Sequence, residues 1–262
     1  MERVKKLTGS QLKLIAMGSM LIDHFAAVVL LALIQRSFDA APASALLSWA
    51  SPNQEALIDL YYALRYIGRF AFPIYCVLLV EGFVHTRSAA KYALRLAVFC
   101  LISEIPFDLA FNGAVLEFDY NNVFFTLLTG LLCIWTVSAL IELLSGTRMP
   151  VPLQRLLQGI AVLAVTACGC CAAEFIFRCD YGASGVLAIT VMFLLKKWPV
   201  PAFAAAVGVL SLDTSIELYA LIMLIPVYCY NGQRGRPMKL GPYIFYPAHL
   251  LVFFAITLLQ GW

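Results

Sequence analysis

Apolar residues fall into nine runs that cover most of the chain, and short polar segments separate them. A helix that crosses the hydrocarbon core of a membrane needs about 20 predominantly apolar residues. The sixth and seventh runs are short for such a span and would have to be tilted or supported by neighbouring helices. The pattern predicts an all-α protein, a polytopic membrane bundle of about nine transmembrane helices. The runs are 12–34, 62–84, 92–111, 122–144, 156–174, 182–195, 200–211, 214–230 and 243–260.

Composition narrows the class of protein further. Hydrophobic residues make up 62% and charged residues 13% of the 262 residues, and the mean hydropathy is +0.87. Soluble domains are about 45–50% apolar and about 25% charged. These values exclude a soluble globular domain, a disordered chain and a nucleic-acid-binding protein. Most of the eight cysteines lie in apolar runs, where a thiol behaves as a small hydrophobe. We therefore expect no disulfide framework and no metal site.

Lysine and arginine residues alternate between the two sides of the predicted bundle. With a cytoplasmic N-terminus, fourteen of the 18 lie in segments on the inner side, as the positive-inside rule requires. We predict an N-in/C-out orientation for a single transmembrane domain that covers residues 1–262. The longest loop, 35–61, then lies outside and contains a mildly amphipathic segment. No internal repeat is visible, which disfavours transporters built from duplicated halves.

A few ionisable residues interrupt the runs. Such residues are costly within a membrane and mark either a functional site or a buried ion pair. Arg65 and Arg69 share one helix face because they are four residues apart, and the same spacing relates Glu104 and Asp108. We expect these four charges to form a buried network on adjacent spans. The remaining ionisable residues within or at the ends of runs are Asp23, His24, Glu81, His85, Asp213, Glu217 and His249.

Asp23 and His24 are consecutive, so their side chains diverge by about 100° on a helix. They cannot orient each other. We expect Asp23 to meet an arginine of the second run, and His24 to be oriented by Glu104 or Asp108. A purely structural ion-pair network is the alternative for the charged residues. A histidine beside an aspartate at mid-membrane depth favours a functional site.

The other two histidines carry less specific signals. His85 stands at a helix end and is interpreted as an interface residue. His249 follows Pro247, and it can either contact a polar cofactor from the inner side or cap a neighbouring carbonyl. The chain has neither a P-loop nor a Gly-x-Ser-x-Gly nucleophile motif. Two functional classes are still compatible with the sequence. One is acid–base chemistry by a histidine in a membrane bundle, and the other is ion-coupled transport.

Seven short strings are spread over nearly the whole chain. They are Leu21-Ile22-Asp23-His24, Gly68-Arg69-Phe70-Ala71-Phe72-Pro73-Ile74, Leu101-Ile102-Ser103-Glu104-Ile105-Pro106-Phe107-Asp108, Asn122-Val123-Phe124-Phe125-Thr126, Asp180-Tyr181-Gly182, Tyr230-Asn231-Gly232-Gln233-Arg234-Gly235 and Phe245-Tyr246-Pro247-Ala248-His249-Leu250-Leu251. In this order and spacing they resemble the TraX family of bacterial integral membrane proteins. The loop 35–61 carries none of the family's pattern.

The resemblance implies acetyl transfer at the bacterial inner membrane. The plasmid-encoded member acetylates the N-terminus of conjugative pilin, and the family is similar to a wider group of transmembrane acyltransferases. In that group an acyl-CoA enters from the cytoplasm, and its acyl group reaches an acceptor on the far side. The resemblance thus implies acetyl-CoA as the donor. The resemblance does not identify the acceptor of the acetyl group. The alternatives are a pilin N-terminus, a peptide and a glycan.

The resemblance also implies roles for individual residues. His24, beside Asp23, matches the reactive base by motif and depth. Arg69 or Arg65 would stabilise the oxyanion that develops on the thioester, and a carboxylate would hold the imidazole tautomer. The predicted catalytic residues are Asp23, His24, Arg69, Glu104 and Asp108. The predicted acyl-CoA-binding residues are Arg65, His85, Arg87, Lys91, Arg95, Arg234, Tyr246 and His249.

Two other functional classes fit the same residues. A transporter or permease would use the buried carboxylates and histidine to relay protons or bind a cation. A non-catalytic membrane scaffold for assembling surface structures is the third hypothesis. Turnover of acetyl-CoA separates the first class from the other two.

Overall fold

The computed structural model describes residues 6–38 and 44–259. Within these residues the chain forms eleven helices and no extended strand. They are α1 (Gly9–Arg36), α2 (Ala45–Ala50), α3 (Gln54–Gly68), α4 (Ala71–His85), α5 (Ala89–Phe111), α6 (Val123–Ser145), α7 (Val151–Ile176), α8 (Gly182–Leu194), α9 (Pro199–Leu210), α10 (Ser215–Tyr228) and α11 (Gly241–Leu259). No disulfide joins the cysteines of the described ranges.

Five segments of the described chain are long and apolar enough to cross a membrane: Gly9–Arg36, Ala45–His85, Val123–Ser145, Val151–Ile176 and Gly241–Leu259. Helices α8, α9 and α10 are apolar but shorter. The prediction of an all-helical membrane bundle is confirmed. The N-in/C-out orientation stays a prediction.

The second predicted run, 62–84, is not one helix. Helix α3 ends at Gly68, two turn residues follow, and α4 begins at Ala71. Pro73 explains the interruption, because a proline ring clashes with the carbonyl four residues earlier, here that of Arg69, and has no N–H to donate. In the first turn of a new helix, a proline costs little. The chain therefore breaks its helix within an apolar stretch of 41 residues.

The described chain divides into two compact units. The first comprises Met1–Tyr75, Ser103–Leu116 and Ile216–Trp262, and the second comprises Cys76–Ile102 and Glu117–Ser215. In the first unit, the short helix α2 packs on the end of α1. Leu47 and Ala50 of α2 are buried against Leu33 and Ile34 of α1. The predicted outer loop 35–61 thus contains α2 and the start of α3, and residues 39–43 lie outside the described ranges.

In the second unit, backbone hydrogen bonds join residues at or directly beside two of the family-like strings. The Asn121 amide donates to the carbonyl of Arg178 at 2.9 Å, and the Asp180 amide donates to the carbonyl of Asn121 at 2.9 Å. Asn122 caps α6 with its side-chain oxygen and donates to the carbonyl of Cys100 at 2.9 Å. Burial raises the pKa of the nearby Cys179 thiol to about 12, so this cysteine stays protonated. These strings have a structural role in the second unit.

Candidate active site

Two histidines of the first unit meet through their ring nitrogens. His24 Nδ1 lies 2.6 Å from His249 Nε2, although 225 positions separate the two residues. His249 Nδ1 lies 2.6 Å from the carbonyl oxygen of Phe245, one turn earlier in α11. The imidazole of His24 is therefore oriented by a second imidazole. The prediction that Glu104 or Asp108 would orient it is wrong, because α11 and not α5 presents the hydrogen-bonding group.

Aromatic side chains enclose this histidine pair. The rings of Phe111 and Tyr246 meet the His24 ring edge to face, with centroids 5.5 and 5.7 Å away. Phe253 packs in the same way on His249 at 5.7 Å. Apolar rings around the pair lower the local dielectric, and electrostatic interactions are stronger there for that reason.

The neighbouring Asp23 points to α3 and binds two arginines. Arg65 Nη1 donates to Asp23 Oδ2 at 2.7 Å, and Arg69 Nη2 donates to Asp23 Oδ1 at 2.8 Å. Arg69 Nη1 also donates to Glu217 Oε1 of α10 at 3.1 Å. The side chains of Asp23 and Glu217 are only 11% and 3% exposed. Two cations and two carboxylates thus form a balanced, buried ion-pair cluster, as such groups require when they leave water.

The backbone is irregular at each place where this cluster forms. Helix α1 passes into a π-helical turn, Phe25–Leu30, directly after His24. Helix α3 ends beside the arginines, and Glu217 stands on the 3-10 segment Ser215–Met223. A π turn inside a helix is frequent at functional sites, and a long 3-10 stretch marks strain or a hinge.

The end of α3 is fitted closely to α1. The hydroxyl of Ser19 donates to the carbonyl oxygens of Ile67 at 2.6 Å and Gly68 at 3.1 Å. These carbonyls lack partners within the helix because it ends there. A Cβ atom at Gly68 would come within 1.9 Å of Asp23 Oδ1, so only glycine leaves room for the carboxylate. Arginines at this end of the helix also interact favourably with its dipole.

The string around Arg234 binds the other end of α1. The amides of Gly9 and Ser10 donate to the carbonyls of Gln233 at 2.8 Å and Arg234 at 2.9 Å. Gly235 has a φ of +72°, and a Cβ atom there would meet the hydroxyl of Ser10 at 2.3 Å. The side chains of Arg234 and Lys13 interact electrostatically. Two cations thus lie together at the end of α1 opposite to the π turn.

Comparison with known proteins places the chain in a family. A family model described as TraX protein matches residues 8–257. The chain belongs to the TraX family. It is similar to the probable fimbrial assembly protein FimC, serogroup H1, of Dichelobacter nodosus, with 30% identity over 217 residues. The matched region covers 72% of this chain and 81% of that relative. No solved structure matches the chain.

In this TraX chain, the structure brings together part of the predicted site. As predicted, Asp23 meets arginines of the second run. His24, His249 and Tyr246 lie together in the first unit. Glu104 and Asp108 belong to the same unit and are buried, at 4% and 0% exposure. Asp108 Oδ1 accepts a hydrogen bond from Asn112 at 3.2 Å.

Other predicted binding residues lie in the second unit. His85 is mostly exposed, and its Nδ1 lies 2.9 Å from the carbonyl oxygen of Glu81 and 3.7 Å from the Glu81 carboxylate. This is the helix-end position expected for it. Three of the predicted basic binding residues, Arg87, Lys91 and Arg95, belong to the same unit.

Two contributors to the site are not predicted from the sequence. Glu217 stands at the start of a predicted run, but the sequence prediction for Arg69 is a pair with Glu104 or Asp108. Its charge inside an apolar run is the signal that could have found it. Phe111, at the end of α5, has no such signal, because an aromatic residue in a membrane helix is ordinary. No group of three or more His, Cys, Asp or Glu side chains in the described ranges could hold a metal ion.

Proposed function

We propose that this TraX-family protein is a membrane-embedded acetyltransferase that moves an acetyl group from cytoplasmic acetyl-CoA to an amine or hydroxyl on the outer side. One observation carries the proposal. His24 is held through Nδ1 by His249, while Nε2 has no hydrogen-bond partner among the described residues. A half-buried imidazole with one nitrogen held and the other available is the arrangement that a general base requires.

The reaction uses His24 as a proton carrier. His24 Nε2 takes the proton from the acceptor nitrogen or oxygen as that atom forms its bond to the acetyl carbon. The bond from the acetyl carbon to sulfur then breaks, and His24 returns the proton to the departing sulfur. The products are the acetylated acceptor and the free thiol of CoA, and the enzyme is unchanged.

Arg65 is better placed than Arg69 to stabilise negative charge on the thioester oxygen. Arg69 already donates through Nε, Nη1 and Nη2, to the Arg65 carbonyl, Glu217 and Asp23. Arg65 donates through Nη1 to Asp23, and its other N–H groups have no hydrogen-bond acceptor in the described chain. Both arginines are close enough to His24 to interact with it electrostatically. A guanidinium with unused donors can bind a developing oxyanion.

The charge at the other end of α1 fits a polyanionic donor. Ser10 binds Arg234 there, and 14 residues of helix separate Ser10 from His24, which is roughly 21 Å at 1.5 Å per residue. Lys13 and Arg234 would hold phosphates, and an extended pantetheine arm would reach towards the imidazole. Like charges that lie together, as these two do, favour binding of an anion. The name of the Dichelobacter relative suggests a fimbrial protein as the acceptor.

An ion-coupled transporter is the second candidate, and the break between α3 and α4 favours it. Interrupted helices with charged residues at the break bind ions in many transporters. Both candidates use the same buried cluster, but only the enzyme consumes acetyl-CoA.

The test is turnover of acetyl-CoA by the purified full chain in detergent. Release of the CoA thiol is measured with a peptide that carries a free N-terminal amine, and with an amino sugar. The His24→Ala variant is the control. We expect thiol release that depends on the acceptor and on His24, together with a mass increase of one acetyl group on the acceptor. If the folded protein does not turn over acetyl-CoA but carries protons across vesicle membranes, the transporter is established instead.

A further inference from the structure

The hydrogen bonds of the two histidines determine where the ring protons lie. The carbonyl oxygen of Phe245 can only accept, so His249 Nδ1, at 2.6 Å, must carry a proton. In a neutral imidazole the other nitrogen, Nε2, is then bare and can only accept. His24 Nδ1 lies 2.6 Å from it and must therefore carry its proton. His24 Nε2 is left bare, with its lone pair available.

The ring geometry supports a direct hydrogen bond rather than stacking. The two rings are nearly parallel, at 9°, with centroids 4.9 Å apart. Stacked rings would touch at about 3.5 Å between their atoms, but the two nitrogens approach to 2.6 Å. The rings therefore lie edge to edge in nearly one plane, where the N–H of one points at the lone pair of the other. Phe111, Tyr246 and Phe253 pack on these rings and limit their rotation.

We propose that His249 is a positioning residue that holds His24 in the tautomer protonated at Nδ1. This inference rests on the proposed function, because it concerns the base of that reaction. In free peptides the tautomer protonated at Nε2 is the commoner one, and a His24 in that form would present a hydrogen rather than a lone pair to the acceptor. The carbonyl of Phe245 sets the tautomer of His249, and His249 sets that of His24. When His24 takes a proton at Nε2, its Nδ1 proton is already bonded to His249, which stabilises the imidazolium.

Nuclear magnetic resonance of the unmodified protein tests the tautomers without any activity assay. The chain has three histidines, so ¹⁵N labelling of histidine alone gives few ring signals. His85 is 68% exposed and supplies the solvent-exposed reference, and a His85→Gln variant identifies its signals. Spectra are recorded well above the usual imidazole pKa of about 6.5. We expect both His24 and His249 to be protonated at Nδ1 and bare at Nε2.

Two variants then test the link to turnover. Glutamine at position 249 can place an amide oxygen near the former Nε2 and accept from His24, whereas leucine cannot. We expect His249→Leu to lower kcat by roughly 10²-fold and to move the His24 proton to Nε2, because an orienting partner sets the tautomer of a catalytic imidazole. We expect His249→Gln to keep the Nδ1 tautomer of His24 and to recover most of the turnover.

The outcomes separate this inference from the proposed function. A wild-type His24 protonated at Nε2, or a His249→Leu variant that keeps the Nδ1 tautomer and full turnover, overturns the positioning role. Equal loss of turnover in the leucine and glutamine variants with an unchanged His24 tautomer also overturns it. If the predicted tautomers are found but the protein acetylates no acceptor, the result supports the positioning role of His249 and contradicts the proposed acetyltransferase function.

Discussion

At the scale of single residues, the site depends on two neighbours that point in different directions. Asp23 turns to the arginines of α3, and His24 turns to His249 of α11. One position of rotation on a helix is about 100°, which is enough to reach two different partner helices. Asp23 therefore belongs to the ion-pair cluster, and His24 belongs to the aromatic enclosure. The two residues have separable effects when they are replaced.

Replacing His24 by alanine should reduce turnover without unfolding the protein. The change removes the base, and a general base contributes roughly 10²–10⁴-fold to a rate. Leu21→Ala is the matched control, because Leu21 stands on the same helix three positions before His24 and its side chain is exposed. Both kcat and the thermal unfolding of the purified variants are measured. Full turnover in a folded His24→Ala protein would remove this residue from the reaction.

Gly68 and Gly18 form a second matched pair of positions. An alanine Cβ at Gly68 would overlap the Asp23 carboxylate, whereas nothing lies within 4 Å of a Cβ at Gly18. We expect Gly68→Ala to destabilise the protein by about 1–3 kcal/mol, the usual cost of overpacking. Gly18→Ala should be neutral or stabilising, because alanine is about 1 kcal/mol better than glycine in a helix. Chemical unfolding in detergent measures both, and equal stability of the two variants would contradict the close approach of Asp23.

At the scale of helices, the break between α3 and α4 places the arginines where side chains of two other helices, α1 and α10, can reach them. Arg65 and Arg69 stand at the end of α3, and α1 satisfies the carbonyls there through Ser19. A continuous helix through this region would use those carbonyls internally. The interruption thus allows α1, α3 and α10 to share one buried ion-pair cluster.

The pair formed by Arg69 and Glu217 can be tested by a double-mutant cycle. Each of Arg69→Leu and Glu217→Leu breaks a buried pair, which usually costs about 3–5 kcal/mol. The double variant removes both charges, and we expect it to recover much of that loss of unfolding free energy while turnover stays low. Unfolding of all four proteins is followed in the same detergent. Strictly additive losses would mean that the two side chains do not interact.

At the scale of the whole chain, the crossing count depends on the segment Ala45–His85. That segment has 41 residues and contains three helices, although the apolar pattern indicates one span in it. The alternation of basic loops predicts that the N-terminus is inside and the C-terminus is outside. An odd number of crossings is required for this arrangement.

Reporter fusions at the C-terminus test the orientation. Alkaline phosphatase is active only outside the cytoplasmic membrane, and green fluorescent protein is fluorescent mainly inside. We expect phosphatase activity and little fluorescence for the C-terminal fusions, and the reverse pattern for fusions at the N-terminus. A cytoplasmic C-terminus would change the crossing count by one.

Local sequence patterns were sufficient for the membrane class, the approximate helix bounds and the divergence of Asp23 from His24. Each of these depends on neighbouring residues alone, through apolar length and helical rotation. Pro73 indicates a break after Gly68, but the continuous apolar run around it predicts a single unbroken helix. Local patterns could not identify the partners of His24 and Arg69, because these partners are 225 and 148 positions away in the sequence. Helical periodicity tells which face of a helix a residue occupies and how deep it lies. It does not tell which other helix packs on that face, and that packing decided that His249 and Glu217 complete the site.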